Sequence, residues 1–434
     1  MRRILMSCLL AWLPLQAMAQ ALDAGVVVGN ESALSIAIVP MPYQGSRTAP
    51  AHDVAKVIRD DLNQSGQFKS LDEAAITEKS LRGADVRFPE WKKLKQDFLV
   101  VGRIVDGVDG NFSIQYELMD VAKQQSLLSL SMPARASNVR RAAHQVADQI
   151  YEKILGVRGA FDTRIAYVTA TGLGQGIEYR LMVADSDGFN PQTLVRSREP
   201  LLSPAWSPDG KRIAYVSFQK GSSAVYIVEL ATGVGATDPV SSAKGINGAP
   251  AFSPDGTKLA LTLSKSGNPE IYIMDIASRS LKQVTTHFGI DTEAVWMPDG
   301  QSLLFTSDRG GKPQIYRYDL ASKATTRITF EGNYNARARV AQDGRNVVLV
   351  HQQDGDFHIA VLDLVTNRMV TLTSTALDES PSIAPNGSMV LYATKFGDRG
   401  ILAAVSVDGG AKFRLPSREG DVREPAWSPF LTAK

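Results

Sequence analysis

Three carboxylates, Glu293, Glu379 and Glu424, stand near corresponding places in copies of a repeated unit, and carboxylates converging from separate strands could hold Ca²⁺. Asp185-Ser186-Asp187-Gly188 opens like a calcium loop, but its glycine comes too soon and no glutamate closes it. It reads as a turn before an outer strand. The five histidines, His52, His144, His287, His351 and His358, lack metal-ligand spacing and read as structural or exposed. No Gly-x-Ser-x-Gly elbow, Walker loop, Gly-x-Gly-x-x-Gly turn or His-Glu-x-x-His helix occurs. Catalysis therefore lacks a nucleophile and base pair in the sequence, and no cofactor is expected beyond an ion at the carboxylates.

The elements that would position these carboxylates are set by the repeat. Trp206-Ser207-Pro208-Asp209-Gly210 recurs as Phe252–Gly256 and Trp296–Gly300, more faintly as Val340–Gly344 and Ile383–Gly387, and Trp427-Ser428-Pro429 opens a last copy. The glycines at 210, 256, 300, 344 and 387 fix periods of 46, 44, 44 and 43 residues, the length of one propeller blade. Pro presets φ, Asp bonds the backbone and Gly takes positive φ, so each motif is a hairpin turn. A metal role for one aspartate per turn is weaker than an Asx turn. Further β-rich runs in each unit predict four short strands per blade.

Arg164–Val168 matches a second strand with no first strand before it, whereas Pro425–Pro429 is a first strand with no second after it. Joined, they complete a sixth blade and leave no open array end. Alignment on the turns places Ser203, Ala249, Glu293, Arg337, Ser380 and Glu424 in one register, and Leu202, Gly248, Thr292, Ala336, Glu379 and Arg423 one step earlier. With the first strand innermost, both rings surround one channel mouth. The scaffold columns repeat while these rim positions differ, as on an asymmetric binding face, although unconstrained rim positions would also vary.

Residues 1–19 have the pattern of a signal peptide, with Arg2-Arg3, an apolar stretch to Leu15 and Ala17-Met18-Ala19 before the cleavage point. The lone cysteine, Cys8, falls inside this leader, so the exported chain would rest on its core without disulfides. Once Arg2 and Arg3 leave with the leader, basic residues balance the 45 acidic ones. Nucleic acid is excluded as a partner on that balance. Residues 20–33 hold Val26-Val27-Val28 between glycines and read either as a frayed terminus or as a flexible partner-binding segment whose strand adds to a sheet edge. From 34 to 157 the periodicities predict a mixed α/β domain of order β-α-β-α-β-β-β-α; 160–431 is the propeller. The fold class is α+β multidomain, an N-terminal mixed α/β domain followed by a six-bladed β-propeller.

The stretches Gly159–Val168, Leu202–Gly210, Asn247–Gly256 and Leu377–Pro381, with the leader and N-terminal domain, resemble the TolB family, periplasmic components of the Tol-Pal system of Gram-negative bacteria. The resemblance implies a non-enzymatic scaffold that supports outer-membrane integrity and outer-membrane invagination at cell division. Its channel mouth would bind the lipoprotein Pal, and its mature N-terminus would bind TolA. Carried over by position, the Pal-facing residues are Asn247, Gly248, Ala249, Thr292, Glu293 and Trp296, with Ile246 where the family commonly has histidine. Ser203, Arg337, Glu379, Ser380, Arg423 and Glu424 extend the rim, and Leu22, Val26, Val27 and Val28 would face TolA. Other outer-membrane lipoproteins or porins and colicin translocation domains are further partners that the resemblance suggests. The competing classes are a propeller enzyme or metal-dependent hydrolase, and a peptidoglycan or glycan binder, with the site in the same channel.

Overall fold

Ile36, Ala37 and Ile38 are buried on both faces of the sheet, as expected of a strand flanked by parallel neighbours. Their strand, Leu34–Ile38, pairs in parallel with Phe68–Ser70 on one side and Phe98–Asp106 on the other, and Phe112–Asp120 and Gln125–Ala134 continue antiparallel. Helix α1 (Val54–Gln64) is capped by the Asp53 carboxylate, which accepts from the Lys56 N–H at 3.0 Å. It packs beside α3 (Val139–Leu155) on one face, through Ile58, Leu62, Val146 and Ile150. Helix α2 (Phe88–Lys93) puts Trp91 on the opposite face against Leu99 and Val101. The computed structural model describes residues 27–28, 33–172, 174–232, 237–415 and 420–431.

Six antiparallel sheets follow, numbered here from the blade that opens at Arg164. Blade 1 joins Asp421–Trp427 to Arg164–Thr171, Glu178–Asp185 and Gln192–Ser197, so the two chain-end fragments share one sheet. Trp427 lies opposite Ile165, and its indole N–H donates to Thr163 Oγ1 at 2.8 Å. Blades 3 to 6 each have the expected four strands, beginning at Asn247, Asp291, Asn335 and Glu379. Blade 2 departs from that expectation: among the described residues it has three strands, and Ser241 makes a single bridge to Val225 where a fourth strand would run. The turn aspartates behave as Asx turns, Asp209, Asp255 and Asp299 each accepting the N–H two residues on at 2.9–3.0 Å. Their glycines sit at φ 66–71°. Hydrogen bonds from Ser253 and the Thr257 backbone and hydroxyl hold the Asp255 carboxyl down at about 2.

Of the terminal segment, Val27–Val28 pairs antiparallel with Ala411–Lys412 and adds a fifth strand to blade 6. The leader with Cys8, and Leu22 and Val26, lie outside the described residues.

The N-terminal domain sits on the face of the Pro-Asp-Gly turns, and charged groups are prominent among its contacts there. Arg141 forks onto Asp162 at 2.8 and 3.3 Å, Asp148 accepts the N–H groups of Phe161 and Asp162, and Arg140 pairs with Asp187. Behind Arg140, His144 Nδ1 lies 2.7 Å from Asp61 Oδ2, both side chains buried. Burial alone would push the imidazole down, yet the carboxylates of Asp61 and Asp187 outweigh both that and the opposing Arg140, raising it to about 9. A raised histidine stabilises the fold fully below its unfolded value near 6.5 and loses that contribution as pH rises through about 9. The thermal midpoint should therefore fall between pH 6.5 and 9.5 by more in the native chain than in His144→Gln. Parallel profiles for the two proteins would remove the imidazole as the cause.

Candidate partner-binding mouth

Each innermost strand breaks its ladder at the same place. Pairing skips from Leu202 to Ala205, Gly248 to Ala251, Thr292 to Val295, Ala336 to Arg339, Glu379 to Ser382 and Arg423 to Ala426. The first unpaired residue in each bulge is left-handed: Ser203 (φ 50°), Ala249 (45°), Glu293 (56°), Arg337 (56°), Ser380 (55°) and Glu424 (52°). These six are the register ring read from the sequence. A side chain in that region costs roughly 1–2 kcal/mol, and such strain collects at functional sites. Ala249 has no side-chain hydrogen bond to offset it, so Ala249→Gly should raise the unfolding free energy by about 0.5–1 kcal/mol after glycine's entropic cost. Urea denaturation measures this, and a loss of stability would mean that the methyl group is needed for packing.

The ring closes the channel through one side chain. Arg337 of blade 5 donates through Nε to Glu293 Oε1 of blade 4 at 2.8 Å, and through Nη1 to Glu424 Oε1 of blade 1 at 3.1 Å and to Ser380 Oγ of blade 6. The second oxygens are also used, Glu293 Oε2 accepting from the Arg337 N–H and Thr306 Oγ1, and Glu424 Oε2 from the Ser203 N–H. Burial would push the guanidinium down, but the two carboxylates raise it further above its ordinary value, so it stays charged. Below this bar lies a cavity of ≈ 320 Å³, walled by Trp206, Phe252, Trp296 and Trp427 and by the turn prolines. Arg339 reaches the same cavity with its charge disfavoured by burial and one hydrogen bond, to Ala338 O at 2.8 Å.

Of the three carboxylates considered for Ca²⁺, Glu293 and Glu424 are thus engaged by Arg337, and Glu379 lies one register nearer the mouth opposite Ala393. Arg423 is exposed, and Gly248 and Thr292 are half-buried at the same level. The Thr292 hydroxyl is 3.2 Å from that of Thr262. Ile246 projects into solvent, 49% exposed. Two of the residues carried over by resemblance serve the scaffold: Asn247 is fully buried, its amide donating to the Ala243 and Gly245 carbonyls, and Trp296 walls the cavity with its indole N–H on Ala251 O. Sequence reasoning missed Arg339, although it follows Arg337 by two residues in the same strand. It also missed the His144–Asp61 and Arg140–Asp187 pairs, whose partners are distant in the chain. His351 and His358 face each other across blade 5, with His351 Nδ1 2.9 Å from Asn335 Oδ1.

Family models agree with this architecture. The model described as TolB amino-terminal domain matches residues 23–127, and that described as TolB beta propeller domain matches 151–431. The chain belongs to the TolB family. The Tol-Pal system protein TolB of Xanthomonas oryzae pv. oryzae (strain PXO99A) is 55% identical over 97% of this chain and 96% of its own length. That of Xanthomonas campestris pv. campestris (strain B100) is 56% identical over the same shares. A crystal structure of TolB from Acinetobacter baumannii, 42% identical, superposes with a TM-score of 0.85 over 94% of this chain and 99% of that one. Membership of the TolB family makes the chain a Tol-Pal system component built from these two domains. Among the described residues no helix is long and apolar enough to cross a membrane.

Proposed function

We propose that the chain is a non-enzymatic periplasmic scaffold of the Tol-Pal system, binding Pal at the propeller mouth and TolA through its N-terminal segment. It would thereby support outer-membrane integrity and outer-membrane invagination at cell division. The observation that carries this reading is the ring of six left-handed bulges, which sets serine, alanine, glutamate and arginine side chains unevenly around one opening of a rigid wheel. A regular fold that accepts strain in every blade at one level is built to hold those side chains in set positions around the opening. Ala249, Thr292, Glu293 and the neighbouring Gly248 and Ile246 would meet Pal, with Glu379 and Arg423 on the opposite side of the opening. Binding of this kind calls for no cofactor.

The TolA half of the reading is supported by where the N-terminal strand is paired. Val27–Val28 is paired over two residues at the edge of blade 6, and a strand that adds to one sheet edge can add to another. A mature chain starting at residue 20, titrated with purified Pal and TolA periplasmic domains, should bind both. Removal of residues 20–33 should abolish TolA binding and spare Pal binding. Loss of both with the fold intact would break the separation, and a mature chain that ignores Pal while hydrolysing a small molecule would overturn the scaffold reading.

A further inference from the structure

The loops that lead from an outer strand into the next innermost strand emerge on the mouth face, and two of them hold an aromatic ring out into water. Phe288, between blades 3 and 4, is 87% exposed, and Phe330, between blades 4 and 5, is 68% exposed. Ile246 at 49% and Ile290 at 46% stand on the same run of loops. Ile290 is two residues from Thr292 and Ile246 two from Gly248, so these apolar groups continue the mouth outward over blades 3 to 5. Exposed apolar groups gathered on one face mark interaction sites.

Both loops are tied down. In the first, Asn268 Nδ2 donates to the carbonyls of His287 (2.9 Å) and Gly289 (2.6 Å), Glu270 accepts from the His287 N–H and Thr285 hydroxyl at 2.6 Å each, and Asp308 accepts the Ile290 N–H at 2.7 Å. The His287 ring packs on Phe288 at 4.1 Å between centroids. In the second, Gln314 stands where Glu270 does: it accepts from Thr329 Oγ1 at 2.8 Å and from Asn335 Nδ2 at 2.9 Å. Arg327 Nε donates to the Thr329 carbonyl at 2.6 Å, and its guanidinium lies 5.2 Å from the Phe330 centroid. A ring fixed in place before binding loses little entropy on binding, and buried aromatic anchors dominate interface energetics.

We propose that Phe288 and Phe330, flanked by Ile246 and Ile290, form an apolar shelf that anchors the protein docking at the mouth. This rests on the Pal reading and adds that the lipoprotein's folded domain presents an uncharged apolar face to the shelf. The mouth then fixes register and the shelf adds affinity. Exposed Lys244, Lys265 and Lys312 stand on mouth-face loops beside Asp308, Glu331 and Glu379, so charge does not draw an anionic lipid surface to the shelf, and its continuity with the mouth points to the protein docking there.

The test is calorimetric titration of the mature chain with the lipid-free periplasmic domain of Pal. Phe288→Ala and Phe330→Ala should each weaken binding about 10-fold or more, and the double variant about 100-fold, with unchanged melting because both rings are solvent-facing. Val365→Ala, 76% exposed on the opposite face, should bind as the native chain does. Failure of the native chain to bind Pal would sink the Pal reading itself. Native-like binding by the double variant would sink the shelf alone, as would binding to phosphatidylglycerol vesicles that is lost in the double variant while Pal binding is kept.

Discussion

Replacing Arg337 by methionine should lower the unfolding free energy by about 3 kcal/mol or more, the range seen when one partner of a buried ion group is removed. The size follows from what is left behind. Glu293 and Glu424 would face each other at the neck of the channel, and Ser380 would lose its donor. Arg339 would remain as the nearest cation in the cavity, already disfavoured by burial. If the deficit is uncompensated charge, adding Glu293→Gln and Glu424→Gln to the methionine variant should recover most of it, since a neutral core of similar shape can equal a buried ion group. Lysine should recover only part, because a point charge cannot reproduce a planar fork that serves residues from three blades. Urea titrations of the four proteins decide the matter. A methionine variant as stable as the native chain would mean that water in the channel already solvates both carboxylates.

That network marks the boundary of what the sequence discloses. The Asx turns depend on residues a few positions apart, and the period and the seam at Trp427 follow from a motif that repeats itself, so all three are legible there. Alignment on the turns also put the six ring residues in one register. Their left-handed backbone was not legible, because it falls on serine, alanine, glutamate and arginine rather than on glycine or asparagine, the usual signals of positive φ. At Ser203, Glu293 and Arg337 the bulge N–H bonds a side chain of the preceding blade, a partner distant in the chain. Asn247 shows the converse: a polar residue beside the mouth has its amide consumed by a loop, which composition cannot foretell. His144 and Asp61 lie on α3 and α1, 83 positions apart, and only packing of the two helices brings them together. Phe288 and Phe330 each come just after a strand-ending threonine pattern, where a turn would ordinarily carry a polar residue. That misplaced hydrophobicity was the available signal.

Ending the chain at Gly420 should abolish cooperative folding of the propeller. The missing segment is the innermost strand of blade 1, so its loss uncovers the ladder edge of Arg164–Thr171 inside the channel. Contacts to other blades go with it. Glu424 leaves Arg337 and the Ser203 N–H, the Trp206 indole loses the Ala426 carbonyl, and the Ser382 hydroxyl loses the Trp427 N–H. The Ser428 pair of bonds to the Arg164 backbone, at 2.8 and 2.9 Å, is lost as well. The uncovered edge of Arg164–Thr171 favours pairing between molecules over a stable monomer. Size exclusion should therefore show large species, and the thermal transition of the native chain should vanish. The N-terminal domain should keep its helical circular dichroism, because its two cores lie within residues 34–161. A synthetic peptide spanning 421–431, added during refolding, should restore part of the monomer by supplying the strand in trans. A truncated chain that stays monomeric and melts as the native one does would mean that the five complete blades close without the sixth. In that case the seam would be a late addition to a wheel already formed, rather than the contact that holds it shut.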